Sequence, residues 1–332
     1  MKTFRQWLIG PSKDPTRPGM ITHLQLVAFL AWAGLGADGL SSACYGPEEA
    51  YLELGEHHFL VLPLAGLIIL TISIISIGYS QVIQLFPEGG GGYIVGTKLL
   101  GKKWGLTSGC ALVVDYVLTI AISIASGVDQ ILSFLPANFT HLKLLFAAVV
   151  LIVLILLNLR GVKESIVFLL PIFMLFLATH TVMLTGAFLM HGSEISPMID
   201  PLRSEVSSAP GPGTGTAVLG LGGMAALLLH AFSRGAGTFT GLEAVSNSMQ
   251  ILREPRARTG KRTMFLMAIS LSLCASGILI GYVLVGAAPR DHQTLNAVLF
   301  SRIAESWPGG HALVVLTLVA EMVLMPILAV WL

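Results

Sequence analysis

The run Gly34-Leu35-Gly36-Ala37-Asp38-Gly39-Leu40-Ser41-Ser42 lies inside the first long apolar segment of the chain. A carboxylate among glycines and serines is costly at membrane depth, so the backbone there is expected to open into a turn whose polar groups face something other than lipid. A second run, Ser233-Arg234-Gly235-Ala236-Gly237-Thr238-Phe239-Thr240-Gly241, interrupts a later apolar segment in the same way, with Glu243 just beyond. Two glycine-interrupted spans in comparable positions point to a transporter built on broken helices, with a substrate site formed between the breaks.

The rest of the chain has the composition such a site needs. Of its residues 54% are hydrophobic and 11% charged, and the mean hydropathy is +0.81. These values lie outside the soluble range and imply an all-α polytopic membrane protein, with the lipid bilayer as its first partner. Cys44, Cys110 and Cys274 are scattered through apolar segments and offer neither a disulfide framework nor a metal spacing. No nucleophile–base pair, HExxH or phosphate loop is present, so an enzyme is not expected, nor any cofactor. The basic clusters fit topology rather than nucleic acid.

Residues 1–20 carry Lys2, Arg5, Lys13 and Arg17 among prolines and read as a cytoplasmic tail. Segment one, about Ile21 to Leu54, is too long and too polar in its middle for one helix and is expected to divide at Gly36–Ser42. Segment two, about Phe59 to Leu85, exceeds the roughly 20 residues needed to cross a bilayer. It ends at Phe86-Pro87-Glu88-Gly89-Gly90-Gly91-Gly92-Tyr93, read as a flexible cytoplasmic connection because Ile94 takes the place of the last glycine of GxGxxG.

Segment three, about Gly105 to Leu135, carries Asp115, Tyr116, Thr119, Ser123, Ser126 and Gln130. At about 100° per residue these six fall within an arc of about 100°, so one face of this helix looks at water or substrate. Any one hydroxyl there has a plainer role, bonding a neighbouring helix. The stripe as a whole, with an acid and a phenol at one end, reads as functional.

Segments four (about Leu142 to Leu157) and five (about Ile166 to Met190) follow, then a polar loop over 191–215. The broken segment six runs from about Thr216 to Met249, segment seven from about Thr263 to Ala287, and segment eight starts at about His311. With the N-terminus inside, the inner loops hold Lys2, Arg5, Lys13, Arg17, Lys98, Lys102, Lys103, Arg160, Lys163, Arg253, Arg256, Arg258, Lys261 and Arg262. The outer side holds Lys143, Arg203, Arg290 and Arg302. This positive-inside bias supports eight spans in the plasma (inner) membrane with a cytoplasmic N-terminus.

Gly36-Ala37-Asp38-Gly39-Leu40-Ser41-Ser42 followed by Tyr45-Gly46-Pro47-Glu48 resembles the first-helix signature of the amino acid–polyamine–organocation (APC) superfamily, in its KUP-type potassium-uptake branch. Thr240-Gly241-Leu242-Glu243-Ala244-Val245-Ser246-Asn247, the Pro87 to Tyr93 run and Asn158 to Glu164 resemble the same group. The resemblance extends from Gly19 over nearly the whole chain. It implies a LeuT-type fold of two inverted five-helix repeats. Residues 21–190 would form the first repeat, 191–215 an extracellular loop and 216–332 a partial second repeat, truncated after about eight transmembrane helices.

By that resemblance a potassium ion would be coordinated by Asp38 and Tyr45 of the first helix, Tyr116, Thr119 and Ser123 of the third, and Thr240 of the sixth. Asp115 and Glu243 would be further functional acids, so that Asp38, Asp115 and Glu243 are candidates for the coupled proton. The polar stripe already placed Tyr116, Thr119 and Ser123 on one face. A dehydrated potassium ion needs several oxygen ligands, which hydroxyls and opened-turn carbonyls supply.

Arg234 departs from the small residue such proteins tend to carry at the sixth-helix break. Pointing inward it would favour an anionic or zwitterionic substrate and act as a selectivity residue; the alternative is a pairing with an acid or an inner-helix carbonyl. His180 and His230, on apolar helices, read as hydrogen-bonded packing residues, and Glu321, in the last span, as a group uncovered by missing helices. The leading function is proton-coupled potassium uptake by alternating access. The alternatives are a proton-coupled amino-acid permease and a non-transporting truncated paralogue or sensor. A homodimer is left open.

Overall fold

The computed structural model describes residues 25–133, 135–158, 162–194 and 220–327. The expected N-terminal tail and most of the 191–215 loop fall outside these residues. What is described is helical, with four helices long and apolar enough to cross a membrane: His58–Leu85, Lys102–Leu132, Leu169–His191 and Arg256–Leu284.

We number the α-helices in chain order: α1 (Ala28–Ser42), α2 (Gly46–Glu53), α3 (Val61–Leu85), α4 (Gly91–Val95), α5 (Lys102–Leu132) and α6 (Lys143–Asn158). They continue as α7 (Val162–His191), α8 (Gly220–Arg234), α9 (Ala244–Asn247), α10 (Arg256–Leu284), α11 (Leu295–Ala304) and α12 (Gly310–Ile327). The centre of the packing is α1, which lies against α7 and α10, while α3 lies along α10 and α12 fills the space between α5 and α7. The outward faces of α5 and α6 expose Val113, Val117, Leu144 and Ile152, as a lipid-facing surface should.

The first segment is broken, but not where the glycines suggested. Helix α1 continues through Gly36 to Ser42 and the break falls on Ala43-Cys44-Tyr45. The reason is Pro47, at the start of α2. A proline cannot donate its amide, and its ring collides with the carbonyl four residues back, here Ala43, so an unbroken helix is impossible through this point. Before it, the chain tightens: Cys44 N–H donates to Ser41 O (2.9 Å), and the Ser41 and Ser42 hydroxyls bond back to Asp38 O (3.0 Å) and Gly39 O (2.6 Å).

The second broken segment opens at the expected place. After Arg234 a tight turn covers Gly235–Phe239, Thr240 is extended, and Gly241 takes φ +83° before the single turn of α9. The two broken segments are strapped together beyond their breaks, where Leu26 N–H donates to Ile251 O (2.8 Å) and Arg253 N–H to Leu26 O (2.9 Å).

Two other expectations are corrected. The glycine run after α3 is not a loose connection: it leads into α4 and a wide turn over Gly96–Leu100, and Gly91 packs directly on Ser246 and Asn247 of α9. The loop between segments seven and eight contains α11, every apolar residue of which is buried.

The breaks touch through bare α-carbons. A Cβ on Gly46 would lie 2.1 Å from Thr238 Oγ1 and 2.8 Å from its backbone nitrogen, so the opposing backbone would have to move. Gly46→Ala should therefore lower stability by about 1–3 kcal/mol, the usual cost of overpacking. It should depress the thermal unfolding midpoint in detergent, while Gly66→Ala, with open space around its Cβ, should not. Equal midpoints for the two variants would show that the breaks are not in contact.

Candidate functional site

Where α1 stops and the second break begins, two chain segments share their polar groups. Ser42 Oγ donates to Thr238 O (2.9 Å), Gly235 approaches Ala50 and the Gly46 carbonyl, and Gly237 lies against the Tyr45 ring. Both breaks expose main-chain groups that no helix can satisfy, and each provides part of what the other lacks.

At this junction sits Asp38, 1% exposed, with neither carboxylate oxygen hydrogen-bonded. It is accommodated by Gly241, whose Cβ, had it one, would lie 2.5 Å from the Asp38 carboxyl carbon. Positive φ and this proximity both require glycine there. Three more buried oxygens nearby lack partners: Ser123 Oγ on α5, Thr238 Oγ1 in the second break and Glu243 Oε1 just after it. Buried polar atoms are nearly always bonded, so a group of unpartnered oxygens contributed by three segments is a place for something that accepts their lone pairs.

The other expected residues converge on the same spot. The Tyr45 phenol adjoins the side chains of Thr240 and Ser123, and Tyr45 and Tyr116 both lie within electrostatic reach of Asp38. Tyr116 OH accepts a hydrogen bond from Asn247 Nδ2 (2.8 Å), which ties α5 to α9. Thr119 is buried one turn further along α5. Thr240 Oγ1 donates to Gly237 O (2.9 Å) and so turns its lone pairs outward. Asp115, half-exposed, stands at the edge: it faces a shallow groove beside Thr107, Cys110 and Leu118, yet its charge reaches Asp38 and Glu243. Among the described residues no Lys or Arg pairs with Asp38, Asp115 or Glu243.

Arg234 is not brought in. Its guanidinium Nε lies 3.3 Å from Glu53 Oε2 at the end of α2, with the side chain 58% exposed, and His230 reaches the same carboxylate at 2.9 Å. The two side chains sit on one face of α8, one turn apart, and both reach the acidic end of α2. The polar stripe of α5 also divides. Thr119 and Ser123 belong to this junction, whereas Gln130 donates to Glu321 Oε2 (2.6 Å) and accepts from Thr294 Oγ1. Glu321 is not uncovered at all: it is 0% exposed and bonded to Gln130, His180 and Asn296. Asn247 and Thr238 also belong to this junction, though no side-chain pattern in the sequence singles them out. Their signal was position alone, inside or next to the second glycine run.

Residues 52–331 match the family described as amino acid permease. The potassium transporter KimA of Bacillus subtilis (strain 168) is 35% identical over 306 residues, which cover 90% of this chain and 47% of that protein. The chain thus spans about half the length of the curated relative it matches. The family is one of membrane transporters rather than enzymes, and membership agrees with a multi-pass, all-helical chain broken at two facing points. The chain belongs to the amino acid permease family, within the APC superfamily.

Proposed function

We propose that this protein carries potassium ions across the plasma membrane by alternating access, coupled to protons. The architecture taken with this reading is a LeuT-type fold of eight spans. Residues 21–190 would form a first five-helix repeat and 216–332 part of a second, with the N-terminus in the cytoplasm. The observation that carries the reading is the buried, unpartnered carboxylate of Asp38 amid unpartnered hydroxyls. A site so built has surplus lone pairs and, once Asp38 gives up its proton, surplus negative charge, and a dehydrated monovalent cation satisfies both.

In this reading Asp38 supplies charge, and Tyr45, Tyr116, Thr119, Ser123 and Thr240 supply neutral oxygens from three segments. Moving either broken segment then dismantles the coordination shell, which is what a carrier needs in order to release its ion. Glu243 and Asp115 lie close enough to answer electrostatically to the charge on Asp38, so the three acids are the candidates to exchange a proton for the cation.

An amino-acid substrate fits this electrostatics less well. With its ammonium turned to Asp38, its carboxylate would still need a cationic partner. The arginine that could serve, Arg234, is turned to Glu53. The name of the matched family keeps the amino-acid reading as the outcome to test against. Proteoliposomes given rubidium tracer or labelled amino acids, with and without an inward proton gradient, separate the two. Gradient-dependent rubidium uptake competed by potassium is expected. Amino-acid uptake without rubidium uptake would overturn the potassium reading.

Asp38→Asn keeps shape and removes charge, and should abolish rubidium uptake while the protein still inserts and unfolds cooperatively; full uptake would remove Asp38 from the site. Tyr116→Phe deletes the oxygen that Asn247 bonds and should raise the rubidium KM by about 3–10-fold, the worth of one hydrogen bond. Because Arg234 is held by Glu53, Arg234→Ser should leave that KM within about twofold, as surface ion pairs contribute little. A large shift in rubidium affinity would mean that the guanidinium reaches the ion.

A further inference from the structure

A second polar cluster lies in the core, apart from the unpartnered oxygens at the breaks, and here every contact is made. His180 of α7 and Glu321 of α12 are 3% and 0% exposed. Imidazole Nε2 faces Glu321 Oε1 at 2.9 Å, and Nδ1 faces the Phe176 carbonyl, also at 2.9 Å. Asn296 Nδ2 donates to Glu321 Oε1 (2.8 Å) and Gln130 Nε2 to Glu321 Oε2 (2.6 Å).

The proton count in this arrangement is constrained. A backbone carbonyl only accepts, and so does a carboxylate. A neutral imidazole has a single N–H, so it can satisfy Phe176 O or Glu321 Oε1, but not both. Two contacts of 2.9 Å to two acceptors require one further proton, on the ring or on the carboxyl group. Among the described residues no Lys or Arg pairs with Glu321 to take the role of that proton.

We propose that the His180–Glu321 pair is a proton-binding site of the transport cycle, separate from the acids at the breaks. The inference rests on the reading of the protein as a proton-coupled carrier. The loaded pair holds one proton between Nε2 and Oε1. Release sends that proton to water on one side of the membrane and leaves two lone pairs facing one another, with no other bond changed. Such a contact is repulsive, so the unloaded pair drives α7 and α12 apart, and reloading from the other side draws them together.

The pair is wired to two of the three segments of the ion site. Asn296, which bonds Glu321, also donates to Cys44 O (3.1 Å) in the first break, and its Oδ1 accepts from Tyr282 OH of α10 (2.5 Å). Gln130 lies on the same polar stripe of α5 as Thr119 and Ser123. A separation of α7 from α12 thus pulls on the first break through Asn296 and on the third span through Gln130. The other titratable groups that face the pair are the Cys44 thiol from the first break, Cys274 and Tyr282 from α10, and Glu48 from α2, whose carboxylate accepts from Leu295 N–H (3.1 Å). From α11 come Asn296 and the apolar Phe300 ring, which meets His180 edge-on.

The test compares two assays in proteoliposomes of the wild-type protein and Glu321→Gln. Rubidium counterflow needs no proton gradient; accumulation driven by an inward proton gradient does. Glu321→Gln is expected to keep counterflow within about twofold and lose at least about tenfold in accumulation, because a carrier unable to bind the driving ion is not biased by it. Accumulation at the wild-type level in that variant overturns the proposal. Absent rubidium transport in the wild type in both assays sinks the carrier reading instead, so the two failures are distinguishable. Should Glu321→Gln not fold, Glu321→Asp, which shortens the reach to His180, is expected to show the same split. Infrared difference spectra of the purified protein between about pH 5 and about pH 8, the range in which histidine pairs titrate, give a readout independent of transport. An imidazole–carboxyl signal present in the wild type and Asp38→Asn and lost in His180→Gln supports the site; its persistence in His180→Gln overturns it.

Discussion

The packing turns on a carboxyl group, that of Asp38, which has been taken out of water and given no hydrogen bond. Burying a polar group without a hydrogen bond costs free energy in either protonation state, and Asp38 finds no protein donor to offset it. Its immediate surroundings follow from housing it. Gly241 must be glycine because any side chain would occupy the carboxyl group's own space, and its φ of +83° then bends the second segment away from helix. Gly46 must be glycine because the bent segment comes within contact of the first. A backbone carbonyl freed by the second bend is satisfied across the gap by the Ser42 hydroxyl, which donates to Thr238 O. A protein gains nothing in stability from such a site, which is the reason to read it as made for a ligand.

How far the sequence told this in advance depends on what kind of physics each feature uses. Composition and hydropathy report on lipid directly, and the long apolar helices were legible for that reason. The glycine runs marked the right two regions, and the second break fell where its glycines were. The first did not: a glycine permits an opened turn without requiring one, whereas Pro47 forbids the helix from passing Ala43, and a rule of exclusion outranks a permission. Arg234 shows a different limit. Its partner Glu53 is 181 positions away in the chain, and nothing in the local pattern of either residue announces the pairing. Periodicity put Thr119, Ser123 and Gln130 on one face of α5, correctly, but a face 15 residues long spans about 22 Å at 1.5 Å per residue. It serves two separate centres, and only tertiary structure says where one ends.

Those two centres solve opposite problems. At the breaks there are more acceptors than donors, and the deficit is positive charge, which an ion can bring and take away. Around Glu321 there are donors for each oxygen, and the deficit is one proton, fixed by the two acceptors that hold the ring of His180. The proposed pair thus gives a proton an address apart from the acids at the breaks. A proton held at the His180–Glu321 pair competes for none of the ion's oxygens, so its coupling to the ion runs through the bonded side chains between the two centres.

Asn296 is where that mechanics is most constrained. Its single amide nitrogen donates to both Glu321 and the Cys44 carbonyl, and its oxygen receives the Tyr282 hydroxyl, so three spans meet on one planar group. An amide is rigid, and it cannot follow Glu321 toward α7 and stay with Cys44 if α1 and α12 move apart. Either the first break follows the carboxylate or one buried bond is lost, at about 1–3 kcal/mol for the partner left unsatisfied. That is enough to shift a two-state equilibrium by roughly a factor of 5 to 150, the range in which coupled binding sites in proteins generally operate. Its placement on α11, a connecting helix that spans nothing itself, lets one short element report on the proton pair and hold the end of the broken helix at the same time.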